Sequence, residues 1–308
     1  MFGSIDPVLL VAALMVASTP ILMGAIGELV VERAGVLNLG VEGMMIIGAI
    51  CGFIVAFETG SLVLGFACAA IAGALISMIF AFLTQVLLTN QVATGLGLTM
   101  FGIGLSAMLG PNYVGLRPPS MPKLDLPLIS DIPVIGPMLF SHDAMVYLSL
   151  GLVLAVWAFL KFTRAGLVLR AVGESHDAAH ALGYSVLMVR FAAIGFGGAC
   201  AGLGGAYLSV VKVLGWTEGM TAGAGWIALA IVVFASWKAG RVLLGAYLFG
   251  GITVLQLNLQ AAGVAIPVEL LSMSPYLITI IVLVIMSSSK RGAAAAPASL
   301  GRSFHASG

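Results

Sequence analysis

Nine runs of seventeen to twenty-seven residues, each nearly free of charge, dominate this chain: 7–27, 36–57, 62–88, 92–110, 143–160, 188–210, 221–237, 242–259 and 273–289. A helix rises about 1.5 Å per residue, so about 20 apolar residues cross a hydrocarbon core roughly 30 Å thick. The runs therefore predict an all-α polytopic membrane protein with about nine transmembrane helices. The second run is rich in glycine and the seventh is short, so both are expected to be broken. Charge supports this reading. Only 8% of the 308 residues are charged and 61% are apolar, against about 25% charge in a soluble domain. Most of the surface must face lipid, and no stretch is polar enough to form a separate soluble domain. Residues 1–289 are read as one transmembrane domain. Residues 290–308, rich in Ala, Ser and Gly, are read as a disordered cytoplasmic tail. The first run has no Lys or Arg before it, so it is read as a retained span rather than a signal peptide.

The basic residues orient the spans. With the 161–187 connection inside the cell, Arg33, Lys161, Arg164, Arg170, Arg190, Lys238, Arg241, Lys290, Arg291 and Arg302 fall inside. Only Arg117, Lys123 and Lys212 fall outside. The N-terminus is therefore expected outside and the C-terminus inside. The long outer connection, 111–142, holds seven prolines and is expected to be extended. The inner connection has no proline. Its piece from Gly173 through Glu174, His176, Asp177, Ala178, Ala179 and Leu182 to Gly183 is bounded by glycines and predicts a short cytoplasmic helix.

Few residues carry chemistry. No G-x-x-x-x-G-K-[ST] phosphate loop occurs, so any ATP must be bound by another chain and no cofactor is expected here. Residues 223–228 match G-x-G-x-x-A on paper but lie in no βαβ unit. His176 and His180 have zinc-like spacing without a third ligand, so no metal site is expected. Cys51, Cys68 and Cys200 are read as packed thiols. A net charge of +1 gives no basic face for nucleic acid.

Glu42 stands out, because a carboxylate in a membrane span is costly and usually faces a cavity or a partner. Asn38 is expected one turn earlier on the same face, and glycines 35, 40 and 43 weaken the helix. Two readings stay open: a broken helix lining a polar path, or a structural hydrogen-bonding group. The seventh run opens on Thr221, Gly223, Gly225 and Trp226 and has the same character. Trp226 either stacks on a ring-shaped solute or anchors at the interface. Gly198 and Gly202 form G-x-x-x-G, a close-packing signal.

Four stretches together resemble one family. They are Glu32 to Met45, including Asn38, Gly40, Glu42 and Gly43; Arg170 to Glu174 with Ala178, Ala179 and Gly183; Ala201 to Tyr207; and Met220 to Gly223 with Gly225 to Ala230. In order and spacing they resemble the permease subunit of bacterial ABC importers of the nucleoside and simple-sugar type, within the group that also moves branched-chain amino acids. The resemblance covers roughly residues 25–290. It implies a multi-pass protein of the bacterial inner membrane. It implies a second homologous permease subunit, a separate ABC ATPase and a periplasmic or lipid-anchored solute-binding protein as partners. It also implies that the segment 165–187, with Gly173, Glu174, His176, Asp177, Ala178, Ala179, Leu182 and Gly183, couples to the ATPase. A substrate pathway is expected along Asn38, Gly40, Glu42, Gly43, Gly225 and Trp226. Two positions depart from the family pattern: Ser175-His176 stand where Asn-Pro is frequent, and Ala224 stands where Arg is common. Pentoses, hexoses and amino acids remain alternative solutes. An ion-driven carrier or an embedded enzyme are the competing classes.

Overall fold

The computed structural model describes residues 7–124, 135–261 and 296–305, with isolated positions between 262 and 295. Its elements are helical: α1 Pro7–Arg33, α2 Val41–Thr59, α3 Leu62–Ala81, α4 Gln91–Leu109, α5 Ile135–Leu139, α6 Ala144–Phe162, α7 Arg164–Glu174, α8 His176–Ala181, α9 Val186–Tyr207, α10 Ala224–Phe234 and α11 Ala239–Ala261. Among the described residues, seven helices are long and apolar enough to cross a membrane: α1 to α4, α6, α9 and α11. With eleven residues, α10 spans only about 16 Å, so the expected seventh span is a half-length helix. The expected ninth span, 273–289, lies outside the described residues apart from isolated positions.

The most enclosed layer is built from α1, α2, α3 and α9. These helices approach at backbone distance because small residues face one another. A Cβ on Gly202 would collide with the Ala69 carbonyl, and one on Gly73 with the Gly198 carbonyl. Without a hydrophobic force between helices in lipid, such contact supplies the adhesion. α2 is surrounded by the others, whereas α4, α6 and α11 each turn a large apolar face outward.

Hydroxyl and carboxamide caps begin several helices. Ser61 caps α3, Asn90 caps α4 and Thr163 caps α7. Asp143 caps α6 through Met145 N at 2.9 Å and Val146 N at 3.1 Å, and its other oxygen accepts from Tyr207 Oη at 2.7 Å, tying α6 to α9. α3 and α9 end differently and alike. Each widens into a π turn, Phe82–Val86 and Leu208–Lys212. Each then places one leucine in the left-handed region, Leu88 at φ 55° and Leu214 at φ 52°.

Two expectations need correction. Asn38 is not on a helix. Gly35, at φ 84°, turns the chain after α1, and residues 36–40 run without helical bonds to α2. Nor are residues 296–305 disordered, whatever their composition suggests. Ser299 N donates to Gly173 O at 2.9 Å, Gly301 N donates to Gly35 O at 3.1 Å, and Phe304 is buried with Val172, Ala179 and Val186.

Candidate functional site

The N-terminal turns of α2 and α10 meet inside the protein, and Glu42 joins them. Gly223, at φ 85°, delivers the chain into α10 with its first amides unpaired within the helix. Glu42 Oε1 accepts from Thr221 Oγ1 at 2.5 Å and from Gly223 N at 2.9 Å, while Oε2 accepts from Gly225 N at 2.7 Å. Two helix N-termini thus face one carboxylate, which is the favourable sign for both dipoles. The approach is close. A Cβ on Gly225 would stand 2.6 Å from the Glu42 backbone, and one on Gly43 would stand 2.8 Å from the Leu98 carbonyl. Glycine is therefore required at both positions on steric grounds.

The six expected pathway residues lie together, but they do not present together. Asn38 and Glu42 are buried, and Asn38 accepts from Gly40 N at 3.0 Å, holding the unwound link before α2. Only Trp226 is exposed, at 42%, with Nε1 donating to Leu39 O at 3.4 Å. On another side of the same turn, Thr221, Ala222 and Ala224 line a cavity of about 210 Å3 with Lys212, Thr253 and Gln256. Glu42 thus has its carboxylate occupied by hydrogen bonds within the protein, while Trp226 and the cavity are the open surfaces at this turn.

At the other end of α10, a second junction holds buried charge that the sequence reading did not single out. Glu28 and Glu32 lie one turn apart on α1, because α1 runs on past residue 27 to Arg33. Glu32 accepts from Trp237 Nε1, and Arg33 donates through Nε and Nη2 to Trp237 O at 3.1 and 2.9 Å. Glu28 faces the backbone and side chain of Asn38, although no donor meets either of its oxygens with full hydrogen-bond geometry. The signal for this acidic pair was the apolar stretch Leu29-Val30-Val31 between them, which continues the run past Glu28. Arg190 on α9 is fully buried. Its guanidinium donates to Ala34 O at 3.3 Å, Gln85 Oε1 at 3.1 Å and Arg302 O at 3.1 Å, and stands 3.5 Å from His176 Nδ1. Its signal was a lone cation inside the run 188–210.

The expected coupling segment is two short helices rather than one. Ser175 ends α7 and caps α8 through Ala178 N. Glu174, Asp177, Ala178, Leu182 and Gly183 are exposed; Gly173, His176 and Ala179 face inward. The His176 ring lies 5.4 Å from Phe304, and the His180 ring 5.2 Å. Burial and the cation of Arg190 push the His176 pKa below its ordinary value; Arg302 and His305 add to this and Asp177 opposes it.

A model of the branched-chain amino acid transport system permease component matches residues 10–286. The chain belongs to that family. It is 40% identical over 96% of its length to a putative glucose ABC transporter permease of Haloferax volcanii, which it covers by 97%. It is 32% identical to a nucleoside ABC transporter permease of Lactococcus lactis and to a guanosine ABC transporter permease of Bacillus subtilis, over 89% of this chain and 91% of each relative. No solved structure matches it. The permease is accordingly a multi-pass membrane protein, and the seven long apolar helices among its described residues are those of a transporter subunit rather than of a soluble enzyme.

Proposed function

We propose that this permease is the translocating subunit of an ABC importer for nucleosides or related simple sugars, driven by a separate ATPase. The observation that carries the energy-coupling half is the α7–α8 element. It projects Glu174, Asp177, Ala178 and Leu182 to the surface while Gly173, His176 and Ala179 lock it to the helix ends. An element exposed on one face and anchored on the other transmits displacement. The ATPase grips this face, on the cytoplasmic side, with the N-terminus of the permease outside. A second, homologous permease completes the path, and a lipid-anchored or periplasmic protein delivers solute from the opposite side. ATP binding then biases two states of the pair.

Solute passes the first turn of α10, where Trp226 offers a π face and Thr221 borders a mostly apolar cavity that also holds Lys212, Thr253 and Gln256. Relatives named for a nucleoside, guanosine and glucose bound the solute class; a pentose or amino acid is the alternative. The test is reconstitution in proteoliposomes with ATPase, second permease and binding protein. The expected result is ATP-dependent uptake of labelled guanosine exceeding that of glucose, with none by the permease alone. Uptake by this chain unaided would overturn the assignment. Glu174→Arg should leave insertion intact and separate ATP hydrolysis from uptake.

A further inference from the structure

Five cations from four parts of the chain converge where α1 and α6 end and α11 begins. Arg33 closes α1, Lys161 lies in the last turn of α6, Arg170 is on α7, and Lys238 and Arg241 flank the start of α11. Together with Trp157 they line one cavity of about 490 Å3. Lys161, Lys238 and Arg241 are exposed. Among the described residues none of the five pairs with a carboxylate. Arg33 and Arg170 are close enough to repel one another, with Glu174 the acid that Arg33 senses. So much positive charge facing one space is unfavourable unless an anion enters it.

Depth identifies the anion. α6 has 19 residues and so spans about 28 Å, which puts its last turn at the hydrocarbon boundary. Lys161 Nζ lies 5.0 Å above the Trp157 ring, an arrangement suited to the interface. One to two turns into the membrane, the surface becomes apolar and exposed, with Leu154 at 64% on α6 and Leu244 at 68% on α11. A soluble acidic partner has no use for that apolar continuation, whereas a lipid fits both parts. We propose that this cavity is a binding site for an anionic phospholipid. Its phosphate sits among Arg33, Lys161, Arg170, Lys238 and Arg241, and its acyl chains lie along α6 and α11 beside Leu154 and Leu244. Basic pockets between membrane helices recognise such headgroups. The bound lipid would tie α1 and α11 to α7 and so steady the proposed ATPase-contacting element; that last consequence alone rests on the transport reading.

The test places the purified permease, with its ATPase subunit bound, in nanodiscs of phosphatidylcholine containing a minor share of phosphatidylglycerol. Native mass spectrometry then counts the lipid retained. Wild type should retain phosphatidylglycerol selectively. The triple variant Lys161→Gln, Lys238→Gln, Arg241→Gln changes exposed side chains only and should lose that selectivity by about tenfold or more. Arg164→Gln, at the same end but outside the cavity, should not. Equal retention in the triple variant, or equal loss in Arg164→Gln, overturns the proposal. Displacement of the lipid by millimolar inorganic phosphate would make the site a free-phosphate site and overturn it too. Loss of the ATPase subunit with lipid retention unchanged would reassign the cations to an acidic protein surface.

Discussion

Two joints are each held by a buried charge whose partners are neutral dipoles, Glu42 at the start of α10 and Arg190 on α9, yet they are built on different plans. At the first, Glu42 takes all three of its donors from a single five-residue stretch, Thr221 to Gly225. At the other, near Arg33, Arg190 reaches four separate segments: the α1–α2 link, the π turn after α3, α8 and the C-terminal segment. The first joint fastens one pair of elements and has no freedom, because Gly225 and Gly43 leave no room beside it. The second gathers many elements, one of them the titratable His176. A sterically locked joint at the start of α10 and a many-sided one beside α8 are compatible with the proposed coupling, in which movement enters through α7 and α8.

The largest expected effect comes from breaking the rigid joint. Glu42→Ala strands three donors in the membrane and should cost about 4 kcal/mol, at about 1–3 for each unpaired group, seen as a sharp loss of thermally stable protein in detergent. If Glu42→Ala proves no worse than Arg190→Met, the contrast between the joints fails. Arg190→Met should cost less, about 3 kcal/mol, because backbone carbonyls tolerate a missing partner better than amides do. Phe304→Ala removes the ring under α8 and should cost about 2 kcal/mol, while protease access to residues 296–305 rises. It should leave the Glu42 joint untouched, which cysteine accessibility near Trp226 would report.

Mild acidification should act on the second joint through His176. The folded His176 binds a proton less readily than in the unfolded chain, since it is buried, Arg190, Arg302 and His305 face it, and only Asp177 favours the charged form. Stability is therefore complete above the unfolded value, about 6.5, and declines as pH falls below it. Hydrogen exchange of α8 should quicken below that pH and be insensitive to it in His176→Gln. The smallest effect belongs to Glu28→Gln. The Asn38 backbone and side chain face its carboxyl without a bond of strict geometry to lose, and Gln keeps an acceptor there, so the melting temperature should shift by no more than a degree or two, against many degrees for Glu42→Ala.

How much of this was legible follows from what each signal encodes. Apolar runs report length, so α2, α4, α6 and α11 were visible in outline, and the glycine-broken start of α10 marked it as unusual. Runs do not report where a helix stops when the stop is a backbone event. Glu28 ended the expected first span, yet α1 carries it and Glu32 inside, shielded by packing. Asn38 was expected to share a helix face with Glu42, but the left-handed Gly35 had already broken the period. Ala, Ser and Gly in the C-terminal segment gave no hint of docking, because most of its bonds use its backbone and only Leu300 and Phe304 offer large apolar surfaces. Glu42 was legible as important. Its bonding was not, because its partners lie about 180 residues away.

The shared ending of α3 and α9 bears on how freely this sequence can drift. The wide last turn returns its carbonyls to the chain itself, through Leu87 N to Phe82 O and Thr89 N to Leu83 O in one case, and Val213 N to Leu208 O and Gly215 N to Ser209 O in the other. A helix finished this way needs no water at its tip and no particular side chain to halt it. Mutation at 87 or 213 is then nearly silent for the stop, whereas Leu88 and Leu214 bear a torsion that costs an L-residue about 1–2 kcal/mol. Those two positions are where an engineer seeking a hardier permease would first try glycine.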